Sequence, residues 1–161
     1  LMDIARLKGV PYLEPGSRIY IAELEAWEKM AGVRVSSGDA VFIRTGRWAR
    51  RGRVGLWDVN NERAGLDPSV IPWLKERDVA ILGSDSMHDA MPLQDGAEIE
   101  SPFALHDFAL IMLGVHLFDN VNLEEVGDAA AERSRWEFLL TAAPLRVRTA
   151  TGSPLNPIAV F

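Results

Sequence analysis

Apolar residues recur three and four apart in two long stretches and run together in several short ones, which predicts helices alternating with buried strands. Leu24, Trp27 and Met30 predict an amphipathic helix over 21–30, closed by Ala31-Gly32, with Glu23, Glu25, Glu28 and Lys29 outward. Phe103, Leu110 and Leu113, with Leu105, Phe108 and Met112, predict a second helix over 101–113. Ser101 is its cap, Pro102 its first residue and Gly114 its stop. A helix this apolar is expected to be buried on most sides, so His106 and Asp107 within it need partners. Asp67-Pro68 opens a third helix through Trp73 and Leu74, and Asn122 caps a fourth over 122–133. Strands are expected at 1–7, 40–43, 79–82, 115–118, 136–142, 145–147 and 158–161. Arg47 to Asn61 reads as a long surface loop. This alternation predicts an α/β or mixed α+β class.

Composition narrows the partners. The chain has 161 residues, enough for one domain with a proper core, and 48% of them are apolar. With 17 basic against 23 acidic residues the formal charge is −6, which argues against nucleic acid. The cluster Arg47, Arg50, Arg51 and Arg53 therefore reads as a solvated loop or a subunit contact. No apolar run has the length of a membrane span, so no membrane partner is expected. The chain has no cysteine, hence no disulfide framework and no thiolate metal site, and a cytoplasmic location is expected. No GxGxxG and no phosphate loop is present.

The residues able to carry chemistry are Ser84, Asp85, His88, His106, His116 and Asp119. Histidine and carboxylate suit zinc, manganese or iron. His106 and Asp119 are separated by a helix and a turn and can converge on one ion. Spacing alone favours the plainer reading, a core histidine bonded to a backbone carbonyl and a turn aspartate. His88 beside Asp85 and Asp89 suits general acid–base work, although an exposed loop histidine fits the same residues. His116, among apolar neighbours, reads as structural. Neither Ser84 nor Ser86 lies in a G-x-S-x-G elbow.

Six phrases in order carry a resemblance across almost the whole chain. They are DIARLKGV from Asp3, GDAVFIRTGRW from Gly38, WLKERDVAILGSDS from Trp73, HDFALIMLGVHLFDN from His106, WEFLLTAAPLRV from Trp136 and TGSPLNPIAVF from Thr151. Together they resemble the cyclase family of metal-dependent hydrolases, which includes bacterial kynurenine formamidase and isatin hydrolase. The resemblance implies a swivelling β/β/α fold, homodimers or homotetramers, and hydrolysis of an amide bond in an aryl formamide or cyclic amide. It implies a divalent ion, zinc or manganese, with His106 as one ligand. Asp119 stands where the family has a glutamate, one methylene longer. Ser84, Asp85 and His88 match the region lining the family's cleft, and Arg44 is expected to pair a buried carboxylate. The family's His-x-Gly-Thr-His-x-Asp motif is not in these residues, so the chain reads as one cyclase-like domain over 1–161, the C-terminal half of a longer polypeptide. The catalytic base would lie in the other half, and an N-terminal fragment of the same protein is a candidate partner. The rival expectation is a family member without metal chemistry that serves as a binding or assembly module.

Overall fold

The computed structural model describes residues 1–93 and 101–161. In chain order the elements are β1 (Met2–Asp3), α1 (Ile4–Leu7), β2 (Arg18–Ile19), α2 (Ile21–Ala31), β3 (Ala40–Arg44), α3 (Arg47–Val54) and β4 (Gly65–Leu66). A 3₁₀ turn at Pro68–Val70 leads into α4 (Ile71–Glu76), followed by β5 (Ile81–Ser84). Then come α5 (Ala104–His106), which continues as π-helical turns over Asp107–Leu113, β6 (His116–Phe118), α6 (Glu124–Arg133), β7 (Leu139–Thr141) and β8 (Ile158–Val160). The fold is mixed α/β, the class that the sequence implied.

The centre is a four-stranded sheet in the order β1-β3-β5-β6, with every neighbouring pair parallel. Because the strands are parallel, their carboxyl ends lie along one edge. Arg44, Ser84 and Phe118 end three of them there. Loops leaving such an edge are the usual place for a ligand site in open parallel sheets. Two small ribbons complete the sheet structure, β2 with β4 in parallel and β7 with β8 antiparallel. The core packs Ile4, Ile19, Leu24, Trp27, Ile43 and Leu82 between the sheet and its helices. Trp27 meets Trp136 edge to face at 4.6 Å, and its indole N–H donates to the carbonyl of Leu1.

Several local expectations change in three dimensions. The first strand is cut short at Asp3, whose side chain caps α1 by accepting from the N–H of Arg6 at 2.9 Å. The same buried carboxylate receives Nη1 of Arg44 at 2.9 Å, the pairing expected for that arginine. Arg47 to Val54 is a helix and not a loop. Its cap is Asp85, distant in sequence, which accepts from the N–H groups of Gly46 and Arg47 at 2.8 and 3.1 Å. Residues 145–147 are not a strand, and the N–H of Val147 donates to the carbonyl of Leu145.

The helix over 104–113 is also less buried than its composition suggests, with Ile111 and Met112 exposed at 77% and 70%. The π-turn accounts for this. It holds more than 3.6 residues, so an apolar stripe spaced for an α-helix does not stay on one face. Ala104, Leu105 and Ala109 supply its buried side. Among the described residues, no helix is long and apolar enough to cross a membrane.

Candidate active site at the sheet edge

Two loops and a helix bring their polar residues together beyond the carboxyl ends of β5 and β6. The first, after β5, carries Ser84 to Asp89. It runs beside the 63–66 segment. Arg63 and Met91 exchange backbone hydrogen bonds of 2.9 Å, and the N–H of Leu66 donates to the carbonyl of His88 at 2.6 Å. Gly65 permits that approach, since a Cβ there would stand 2.2 Å from the His88 carbonyl oxygen. His88 itself takes a left-handed φ of 60°. It is not the exposed loop residue that the local sequence suggested, being 1% exposed.

Arg63 reinforces this loop from below. Its guanidinium donates to the carbonyls of Asp89 (2.7 Å), Pro102 (3.0 Å) and Asn60. It thereby ties the loop after β5 to the start of α5.

His106 sits at the centre of the cluster. Its Nδ1 lies 3.1 Å from Oδ2 of Asp89, and its Nε2 lies 3.1 Å from Oδ2 of Asp119. The other oxygen of Asp89 accepts the N–H of Leu105 at 2.7 Å, which fixes the carboxylate against the helix that carries His106. On the far side Nε2 of His88 stands 3.3 Å from Oδ1 of Asp119. Both imidazoles therefore meet one carboxylate, each on its own oxygen. Asp89, which the sequence offered only as a neighbour of His88, is thus a partner of His106. Its place next to His88 was the only available signal.

The two histidines are driven in opposite directions. Hydrogen bonds from Asp119 and then Asp89 raise His106 to about 9, against the opposing effect of burial. Burial lowers His88 to about 4, with Asp119 opposing and His106 adding to the shift. Burial alone would raise Asp119. The His106 hydrogen bond and the charges of His88, His106 and Arg63 outweigh it and hold the carboxyl below its usual range. At neutral pH the cluster thus contains a cationic His106, an anionic Asp119 and a neutral His88, whose two ring nitrogens have no hydrogen-bond partner among the described residues.

These shifts fix a sign for stability. A histidine whose folded pKa exceeds its usual 6.5 stabilises the fold below that value and loses the contribution as pH rises toward 9. Metal-free protein is expected to lose stability between pH 6.5 and 9 by an amount that His106→Gln removes. Denaturant melts of both proteins across that range check this, and equal pH slopes would refute it.

The remaining candidates lie apart from the cluster's centre. Ser84 and Asp85 are buried. Oγ of Ser84 accepts the N–H of Ser86 at 3.0 Å. Asp85 accepts from Thr45 N–H and Oγ1, Gly46 N–H and Arg47 N–H, all within 3.1 Å. Burial still pushes this carboxyl up to about 6, against those hydrogen bonds. His116 is exposed on β6, opposite Ile81. Among the described residues, no three histidine or carboxylate side chains surround one point as a complete ion site.

The family model described as "Putative cyclase" matches residues 1–88. A solved structure described as a novel cyclase is 32% identical over 99% of this chain and 52% of its own, with a TM-score of 0.82. An isatin hydrolase bound to the product analogue thioisatinate is 22% identical over 98% of this chain and 57% of its own, with a TM-score of 0.71. A structure described as a potential metal-dependent hydrolase with cyclase activity is 17% identical, covering 89% and 58%, with a TM-score of 0.55. No curated protein matches. The chain spans little more than half the length of these solved structures. With the family model covering residues 1–88 of 161, the chain belongs to the cyclase family.

Proposed function

We propose that this chain supplies one side of a metal-dependent hydrolase site that opens an amide bond, in an aryl formamide or a cyclic amide. The observation that carries the reading is His88. A buried, neutral imidazole with both nitrogens unpaired, 3.3 Å from a carboxylate shared with His106, is a donor set short of an acceptor. Neighbouring nitrogen and oxygen ligands of one divalent ion stand roughly 3.0–3.4 Å apart. The 3.1 Å between His106 Nε2 and Asp119 Oδ2 fits that spacing.

His106 and Asp119 would hold the ion, zinc or manganese. A bound divalent ion supplies a water ionisable near neutral pH. The chain's own residues do the rest. To hold an ion, His106 would release its Nε2 proton to solvent while Asp119 stays anionic beside it. Asp89 keeps hold of Nδ1 and so fixes which nitrogen faces the ion. His88 would stand at the edge of the substrate pocket, and the buried Ser84 and Asp85 would support the loop that carries it. The general base would come from the His-x-Gly-Thr-His-x-Asp motif that the resemblance implies, which residues 1–161 do not contain.

A second reading is favoured by the incomplete donor set among the described residues. It is a binding or assembly module without catalysis. The resemblance also supports a homodimer or homotetramer, and the exposed Leu139, Ile158 and Val160 on the outer side of β7 and β8 agree with it. Metal analysis and hydrolysis assays on the native particle separate the two readings. About one divalent ion or more per protomer, with activity on aryl formamides or cyclic amides that chelation removes and metal restores, is expected. A metal-free particle inert to both substrate classes overturns the hydrolase reading.

A further inference from the structure

A second cluster of unsatisfied polar groups lies on the other side of the loop after β5. Thr45, Arg47, Arg50, Trp57, Arg63 and Ser86 line a small cleft there. Nε and Nη1 of Arg47, Nη1 of Arg50 and Oγ of Ser86 are buried without a hydrogen-bond partner among the described residues. Ser86 is 1% exposed. Donors buried in this way lose their water without compensation, so a group of them around one cleft calls for an acceptor.

The nearby negative charges do not supply it. Asp85 spends its oxygens on the backbone of Thr45, Gly46 and Arg47 and on the Thr45 hydroxyl. Glu14 touches Arg50 only through Nε, at 3.4 Å, from an exposed side chain. Arg63 has its donors bound to carbonyls.

The arginines are also held in place. The Arg47 guanidinium lies 4.5 Å from the Trp48 ring centroid and 5.7 Å from that of Trp57, and Arg50 lies 4.6 Å from Trp57. We infer that this cleft is a carboxylate-binding subsite, with Arg47 and Arg50 facing the two oxygens and the Ser86 hydroxyl donating a further hydrogen bond. The planar fork of arginine matches a planar carboxylate. Ser86 is two residues from His88, and Arg63 both lines the cleft and holds the Asp89 carbonyl, so the subsite adjoins the proposed reaction site. Its use in turnover rests on the hydrolase reading. The carboxylate is then either one borne by the substrate or the one that amide hydrolysis releases.

The test begins with binding, without metal or turnover. In the full chain the arginine Nε–H resonances are followed by NMR as acetate is added, with benzoate and inorganic phosphate as comparisons. Saturable shifts at Arg47 and Arg50 are expected, with affinity reduced about tenfold or more in Arg47→Gln and in Ser86→Ala. Arg53→Gln, which alters an exposed arginine of the same helix, should leave binding unchanged. Absence of saturation, equal weakening by Arg53→Gln, or tighter binding of phosphate than of acetate overturns the proposal. These results do not depend on whether the protein is a hydrolase. Turnover then separates the two sources of carboxylate. A substrate carboxylate predicts that Ser86→Ala raises KM only for amides bearing one, whereas a product carboxylate predicts weaker product inhibition with KM unchanged. A variant that binds acetate weakly yet changes neither parameter overturns the link to the reaction site.

Discussion

Gly65→Ala is expected to displace the loop carrying His88 and Asp89 and to destabilise the protein by roughly 2–4 kcal/mol. The reason is backbone contact and not glycine's conformational freedom. An added Cβ would meet the His88 carbonyl oxygen at 2.2 Å and the Ala90 nitrogen and Asp89 carbonyl carbon at 2.7 Å. None of these atoms is the end of a flexible side chain, so relief requires the two segments to part. Parting would break the hydrogen bonds by which Leu66 holds His88 and Arg63 holds Met91. Both faces of the candidate site then move, since Arg63 also grips the Asp89 carbonyl. Urea melts would report the loss of stability, and histidine NMR would report the loss of the His106–Asp119 contact. Wild-type stability and unchanged histidine shifts in Gly65→Ala would show that the approach is looser than the structure describes.

Asp89→Asn is expected to weaken divalent-metal binding by about 10–100-fold while leaving the fold largely intact. Asparagine keeps an oxygen for the buried N–H of Leu105, which now donates to Oδ1 at 2.7 Å. It replaces the oxygen at Nδ1 of His106 with an amide NH₂. That nitrogen then has to accept a hydrogen bond, which places the ring proton on Nε2, where a metal would bind. Loss of the Asp89 charge also removes one of the causes that raise His106. Metal titration by calorimetry, paired with thermal melts, separates the effects. Asp89→Ala adds the cost of leaving the Leu105 N–H unpaired, about 1–3 kcal/mol. Unaltered metal affinity in Asp89→Asn would mean that His106 is not oriented through Nδ1, and the proposed ligand role would fall with it.

The hydrogen-bonded path Asp119–His106–Asp89 also accounts for the apolar helix with a polar residue inside. His106 interrupts the run because its two nitrogens are needed by carboxylates on two different loops, one after β5 and one after β6. The π-turn that begins at Asp107 follows directly. Such turns often occur at functional sites. Asp119, one methylene shorter than the glutamate that the resemblance implies there, reaches His106 at 3.1 Å.

Much of the architecture is legible without coordinates. The strands of the central sheet at 40–44, 81–84 and 116–118 are short apolar runs bounded by turn residues, and α2 ends at a glycine with φ of 69° as its pattern requires. The family resemblance marks His106 and Asp119 residue by residue, and the structure brings these two into contact. Such features are local or copied along the chain, so one sequence carries them.

What sequence alone did not decide depends on contacts between distant segments. The helix over 47–54 looks like a basic loop because its cap, Asp85, is 38 residues from Arg47. His88 looks like a solvated loop residue because nothing nearby in sequence shows that Gly65 lets a second backbone cover it. Asp89 looks like one more loop acid until α5 sets the Leu105 N–H and the His106 ring against its two oxygens. Composition and periodicity report which residues prefer water and at what interval. Burial of a polar group, and the identity of the partner that stabilises it, are set only when separate loops close on each other at the end of a parallel sheet.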